Sequence, residues 1–338
     1  MSYTDMFLDF LDTDDPNSKT VLVVDGLNLF IRGYQAIPAT DHNGELIGGI
    51  LGFYRTLKRM VSDYNPYKVI VVFDGKGGST RRRKMYTDYK SKRISRGSFN
   101  RFSDMRGLID EEDSLKRQLL ILGECLDHLP VYVISIDGIE ADDCIAYIVR
   151  NYFKEDKKII VSSDKDFYQL INESTSVYSS NKKMLLSGKN VYSEVGYRPL
   201  NYLTLRCFTG DRSDNIQGVK SVGPKGLEEF FDLKSSENDY LIEDIILKSE
   251  QAITEGSKRK LFQTIIENKE TVRRNYKLMQ LLDVDISKTL TSNIRSILFN
   301  TAPTLDAIKV QNILLTNNIE QSISSFFLWE NLNRKHAV

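Results

Sequence analysis

Four short runs of mostly branched residues constrain this chain more than any other feature: VLVVD (21–25), VIVVFD (69–74), VYVISID (131–137) and IIVSSD (159–164). Segments with helical periodicity separate them, at 50–64, 114–128 and 141–153. Continuous Val/Ile runs that alternate with helices predict an α/β fold, a mainly parallel sheet covered on both faces. In such sheets ligands bind beyond the carboxyl ends of the strands. Asp25, Asp74 and Asp164 close three of the runs and Glu140 follows the fourth, so the fold gathers acids on one edge.

That concentration of charge needs a reason. Glu140, Asp142 and Asp143 open a helical segment, and Asp164 and Asp166 close a strand. Taken singly, each is ordinary: acids favour helix N-termini, and an Asp after a strand is common turn chemistry. Taken together they repel, because unit charges about 4 Å apart interact by roughly 4 kcal/mol at an effective dielectric of 20. At neutral pH hard divalent cations relieve such a cluster, since all the donors are oxygens. Magnesium is the first choice and manganese the second. Only three histidines and three cysteines at no metal-ligand spacing are present, which argues against a zinc or histidine-based site.

After about residue 198 strand-like runs thin out and helical periodicity dominates, through LEEFFDL, YLIEDIILKS and AIKVQNILL. A third acidic cluster lies there, in TGDRSDNIQGVKSVGPKG (209–226). Asp211 and Asp214 precede a Gly-rich turn, whose backbone N–H groups suit phosphates as well as an ordinary helix cap. The organisation expected is an acidic-hydrophobic extension (1–19), an α/β domain (20–198) and a helical region (199–338).

Lys+Arg and Asp+Glu balance at 46 each, which hides a polarised chain. Between Lys76 and Arg106 stand 11 Lys/Arg against 2 Asp/Glu. This stretch, a basic arch at about 76–112, reads either as a solvated basic face or as a phosphate-binding surface. Tyr86, Tyr89, Phe99 and Phe102 interleave with the charges and could stack on bases. The 41% hydrophobic and 27% charged content is that of a folded soluble protein, and no apolar run approaches the roughly 18–20 residues of a membrane helix. The first twenty residues, with five Asp and one Lys, are the reverse of a secretory signal, so a cytoplasmic location is expected, the host cytoplasm if the chain is phage-encoded.

Taken in order, these motifs resemble the 5′-nuclease or flap-endonuclease superfamily, specifically stand-alone phage 5′-3′ exonucleases of the ribonuclease H type. The resemblance runs from about Val21 to Leu227. DGLNLFIR matches its first motif and implies Asp25 as a metal ligand and Arg32 near the substrate phosphates. VVFDGKGGSTRR matches the second and implies Asp74 as ligand, with Arg81 and Arg82 as nucleic-acid contacts. YTDYKSKR resembles the base of the family's helical arch, implying Lys90 and Arg93 as catalytic contacts to the scissile phosphate, with Lys92 beside them. IEADD, SSDKDFYQL and GDRSDNIQGV complete the implied ligand set with Glu140, Asp142, Asp143, Asp164, Asp166, Asp211 and Asp214, around two magnesium ions for which Mn2+ substitutes. The family's helix-hairpin-helix-like motif grips duplex DNA, often with a potassium ion. Here it implies Gly218, Ser221, Gly223 and Lys225, with Ser221 standing where the family has a glycine.

The resemblance implies a structure-specific 5′-nuclease acting on flaps, nicks and RNA–DNA hybrids during DNA replication, as a monomer and without a covalent intermediate. The length leaves no room for a fused polymerase. Two rivals stay open: a PIN-like endoribonuclease, which shares clustered acids on a similar sheet, and a catalytically silent module that binds DNA structures. Implied partners are branched or nicked DNA, a sliding clamp and a single-strand-binding protein. Clamp-ligand candidates are TDMFLDFLDTDD near the N-terminus (Met6, Phe7, Leu8, Phe10, Leu11) and EQSISSFF near the C-terminus (Ile323, Phe326, Phe327).

Overall fold

The computed structural model describes residues 19–91, 111–319 and 326–336. Lys92, Arg93, Phe99 and Phe102, and with them most of the basic arch, lie outside the described residues, as do the N-terminal clamp-ligand candidate and the side chains of the C-terminal one.

Strand β1 (Thr20–Asp25) leads into α1 (Gly26–Ala36) and α2 (Gly48–Tyr64); β2 (Lys68–Phe73) is followed by the short α3 (Thr80–Met85) and by α4 (Glu111–Leu126). Next come β3 (Tyr132–Ser135), α5 (Ala141–Asn151), β4 (Lys157–Val161), a 3₁₀ turn (Lys165–Leu170), β5 (Thr175–Ser179) and β6 (Met184–Leu186). The six strands form one sheet in the order β3-β2-β1-β4-β5-β6. All pairs are parallel except β5–β6. β1 is central, its Val23 in register with both Ile70 of β2 and Ile160 of β4.

Alternation along β1 divides the interior in two. Leu22 and Val24 face a core built with Val69, Val71, Ile159 and Val161 under α1, α2 and α4. Val21 and Val23 face the opposite core, with Ile70, Val72 and Ile160 under α5. Every one of these residues is fully buried, and each contributes roughly 1.5–3 kcal/mol of transfer free energy. Both faces are covered, which is why the strands read as unbroken apolar runs. The sheet is the parallel, helix-flanked one expected; the antiparallel β5–β6 hairpin was not anticipated.

The remaining chain is helical: α6 (Val191–Val195), α7 (Pro199–Thr209), a two-residue hairpin β7 (Gly210–Asp211) and β8 (Ile216–Gln217), then α8 (Pro224–Phe231), α9 (Ile242–Thr254), α10 (Lys260–Glu267) and α11 (Lys269–Met279). These enclose a third core around Phe208, Leu227, Phe231, Ile245 and Ile265. The last three helices, α12 (Lys288–Asn300), α13 (Ala307–Thr316) and α14 (Phe326–His336), return to the sheet. Ile294 and Leu298 join the core under α5, while Val310, Leu314, Trp329 and Leu332 join the one under α1 and α2. The chain after residue 198 thus serves two packing units. Among the described residues no helix is long and apolar enough to cross a membrane.

Candidate active site

The acids at the carboxyl edge of the sheet are placed by the elements that end there. Asp25 closes β1 and caps α1: its carboxylate accepts the Asn28 amide at 3.2 Å and the Ser162 hydroxyl at 2.9 Å. Asp74 follows β2 and accepts the amide of Ala141 at 2.8 Å, which ties it to the start of the helix that carries Asp142. Gly75 makes this crossing feasible, since a Cβ there would stand 1.7 Å from the carbonyl oxygen of Ile136. Asp164 caps the 3₁₀ turn after β4 by accepting the amide of Asp166 at 2.9 Å.

These acids act on one another. Burial above all raises the Asp25 carboxyl to about 7; the hydrogen bonds from Asn28 and Ser162 oppose the shift, and the charges of Asp164 and Asp74 add to it. Burial, then Asp164 and Asp25, push Asp142 well above the usual carboxylate range. Asp166 rises to about 8 through burial and Asp164, although Arg206 pulls the other way. Among the described residues no lysine or arginine lies within ion-pair distance of Asp25, Asp74, Asp142 or Asp164. Asp25 is buried, Asp142 and Asp164 are partly buried and Asp74 is exposed, and none has an ion-pair partner among the described residues, the condition that a cation relieves.

Two members of the expected ligand set sit differently. Asp143 is buried, and Arg82 grips both of its oxygens at 2.7 Å, with Arg81 Nη2 at 3.5 Å. Glu140, also buried, receives Arg82 through one oxygen and Lys90 Nζ at 2.5 Å through the other. Burial opposes ionisation of Glu140, but Arg82 and Lys90 more than offset it and hold its carboxyl below the usual range. Asp143, expected as a metal ligand, is in this structure the ion-pair partner of Arg82. Arg82 is corrected from nucleic-acid contact to internal brace, because it is 4% exposed and its Nε also donates to the carbonyl of Leu278 at 2.9 Å. Burial excludes Tyr89 from base stacking, and its hydroxyl donates to Glu140. The ring of Tyr86 is covered by the Arg274 guanidinium, 4.3 Å from its centroid.

Lys90 lies at the rim of this network. It has a left-handed backbone (φ 55°), and its amide donates to the carbonyl of Asp214 at 2.8 Å. Asn215 Nδ2 donates to the Asp88 carbonyl and the Ser91 hydroxyl, so the loop with Asp211 and Asp214 is stitched to the turn with Lys90. Arg81 spans Asp143 and the carbonyl of Asp285, and Arg32 is half-buried on α1 beside Tyr178. Beyond β8, Ser221 holds a left-handed conformation (φ 67°), which accounts for a glycine being expected there. Gly223 caps α8 with open space where a side chain would stand, and Lys225 in its first turn is exposed. Gly218 is packed: a Cβ there would stand 2.3 Å from the backbone of Thr209.

Among the described residues no three acidic, histidine or cysteine side chains are already closed into a metal cage. The donor chemistry nevertheless fits a hard divalent ion: oxygen-only ligands without an ion-pair partner, from β1, the loop after β2, α5 and the turn after β4. Asp25, Asp74, Asp142 and Asp164 could hold one ion, and Asp164, Asp166, Asp211 and Asp214 a second. Arg206, in the last turn of α7, was missed by sequence reasoning. It pairs with Asp166 and Asp211, and its only signal was a lone cation five residues before Asp211.

Comparisons with known proteins agree with this geometry. Residues 20–196, just over half of the chain, match the model of the 5′-3′ exonuclease, N-terminal resolvase-like domain. A 5′-3′ exonuclease of Aquifex aeolicus is 28% identical over 275 residues, covering 80% of this chain and 85% of that protein. A thermostable DNA polymerase I of Thermus filiformis is 32% identical over 215 residues, 63% of this chain but only 24% of the polymerase. Among solved structures, the bacteriophage T5 protein co-crystallised with metal ions superposes with a TM-score of 0.61 at 22% identity, over 89% of this chain and all of that one, which establishes the shared fold. The resolvase-like match spans the sheet and the acids of its carboxyl edge up to Asp166, and the chain belongs to the 5′-3′ exonuclease family.

Proposed function

We propose that the chain is a divalent-metal-dependent 5′-nuclease that hydrolyses phosphodiesters at the 5′ ends of flaps, nicks and RNA–DNA hybrids, including RNA primers, during DNA replication. The observation that carries this reading is the convergence of Asp25, Asp74, Asp142 and Asp164 at one sheet edge, with no lysine or arginine within ion-pair distance of them among the described residues. Two bound magnesium ions would supply Lewis-acid stabilisation and a nucleophilic water for in-line displacement.

The chain's own residues do the rest. Asp25, Asp74, Asp142 and Asp164 would hold one ion, and Asp164, Asp166, Asp211 and Asp214 a second, which together would offset the charge of the scissile phosphate. Lys90, released from Glu140, meets the negative charge that develops on the phosphate. The hydrogen bond from its backbone amide to the carbonyl of Asp214 keeps that ammonium in register with the second acid group. Arg32 and Arg81 approach the backbone on either side, and the open N-terminus of α8 at Gly223, with Lys225, receives a duplex phosphate. The support is chemical fit together with kinship: 5′-3′ exonucleases are among the similar proteins, and a neighbouring fold, the T5 flap endonuclease, is described in a complex with DNA and metal ions.

The test uses 5′-labelled flap, nicked and RNA–DNA hybrid substrates, with magnesium and separately with chelator. Metal-dependent release of short 5′ products from all three is expected. Cleavage of structured RNA alone would favour an endoribonuclease, and binding without cleavage in any metal would favour a silent module.

A further inference from the structure

The two acid groups differ in one respect that bears on how they fill. Around Asp25 the nearest cations are committed elsewhere, Arg82 and Lys90 to Glu140 and Asp143. Around Asp166 a cation is built in. Arg206 Nη1 stands 2.9 Å from Asp166 Oδ1 and its Nη2 donates to Asp211, so one guanidinium bridges carboxylates from the 3₁₀ turn and from β7. Its side chain is 15% exposed. Burial works against its charge, yet Asp166 and Asp211 hold the guanidinium above its ordinary value. An ion shared by Asp166 and Asp211 would compete with the guanidinium for these two carboxylates.

We infer that Arg206 is an internal stand-in cation, which neutralises Asp166 and Asp211 when no ion is present and must withdraw before those carboxylates ligate one. The inference rests on the two-ion reading above. It makes the second ion an exchange rather than a simple addition, so that ion binds more weakly than the one at Asp25, Asp74 and Asp142. The released guanidinium has somewhere to go. The ring of Tyr202, one turn earlier on α7, already lies 5.9 Å from the paired guanidinium and would stay beside it after release, and the C-terminal end of the helix favours a cation. A substrate phosphate would serve equally well, which would couple filling of the second position to nucleic-acid arrival.

The test is Mn2+ binding to the full chain without nucleic acid, followed by electron paramagnetic resonance of the free ion. Wild type, Arg206→Gln, Arg206→Lys and Asp25→Asn are compared at fixed ionic strength, with melting curves in chelator and in Mn2+. Wild type is expected to show two affinity classes, and Asp25→Asn to lose the tighter. Arg206→Gln should tighten the weaker class by about tenfold or more, because its competitor is gone, and leave the tighter class within about twofold. It should also melt lower than wild type in chelator and recover more on adding Mn2+. Arg206→Lys, which keeps the charge without the fork, should fall between the two and decides the matter should the Gln variant not fold. A weaker class that stays the same or loosens in the variants overturns the role of Arg206 while leaving two ions in place. A single class in wild type at saturation overturns the two-ion reading and this inference with it.

Discussion

Glu140 and Asp143 lie at the start of α5, three residues apart and on one face; Asp142 lies between them on another. The first pair is clamped by Arg82, Lys90 and Arg81, and Glu140 ionises more readily than a free carboxylate. Asp142 faces Asp164 and Asp25 and ionises far less readily. Three acids within four residues therefore do opposite work. One face of the helix fastens α3 and α11 to the sheet through Arg82, while the other adds a carboxylate to a site that lacks positive charge. Acid density alone does not identify a metal site; what matters is which acids are already answered by an internal cation.

The largest expected effect separates these faces directly. Asp142→Asn should lower the single-turnover cleavage rate by roughly 10³-fold or more, a loss on the scale of removing a principal electrostatic element, while the protein melts at or above the wild-type temperature in chelator. Comparable loss of rate with a lower melting temperature would place Asp142 among the structural acids.

On the clamped face stability should fall first. Arg82→Met leaves buried Glu140 to Lys90 and buried Asp143 to the longer contact with Arg81, and removing one member of a buried pair costs about 3–5 kcal/mol. Denaturant unfolding in chelator measures this. The double variant Arg82→Met with Asp143→Asn should recover part of the loss, because one orphaned charge goes as well. Unchanged stability in the single variant would mean that the clamp is dispensable.

The smallest expected effect lies at the opposite end of β2 from Asp74. Lys68 is 7% exposed, donates to the Leu298 carbonyl at 2.7 Å and lies over the rings of Tyr132, Phe299 and Phe153 at 4.2, 5.1 and 5.5 Å. Burial lowers its pKa to about 8, partly offset by Asp156. The folded protein thus sheds this proton before the unfolded chain does. The cost of burying the charge is fully present below pH 8 and is relieved as pH rises from about 8 towards the ordinary lysine value, a gain of at most about 3 kcal/mol. Lys68→Met should remove that rise from the unfolding free energy measured between pH 8 and 10.5. An identical slope in the variant would show that Lys68 does not titrate in this window.

The sheet was legible because its signal is local. Val21 to Val24 must be apolar at every position when both faces are covered, and the runs at β2, β3 and β4 obey the same rule. The acids at the strand ends were legible for a related reason: parallel crossovers put every carboxyl end on one edge, so Asp25, Asp74, Asp142 and Asp164 converge whatever the loops do. The β5–β6 hairpin escaped notice because TSVYS and MLL are too short and too mixed to stand out from a turn. The left-handed backbone at Ser221 was signalled only by a missing glycine.

Periodicity and chain direction were enough for the parallel sheet, the edge on which acids gather and the oxygen-only character of those donors. Which of them keep no ion-pair partner was settled by long-range packing. Arg82 and Glu140 are 58 residues apart, and Lys90 and Glu140 are 50 apart. It also decided that α12–α14 close over the sheet rather than extend the helical region, with Lys68 reaching Leu298 across 230 residues. An ion pair has no period and no local signature. Its partners are chosen by packing at long range, and that choice separates a counter-ion such as Asp143 from an uncompensated carboxylate such as Asp142 one residue away.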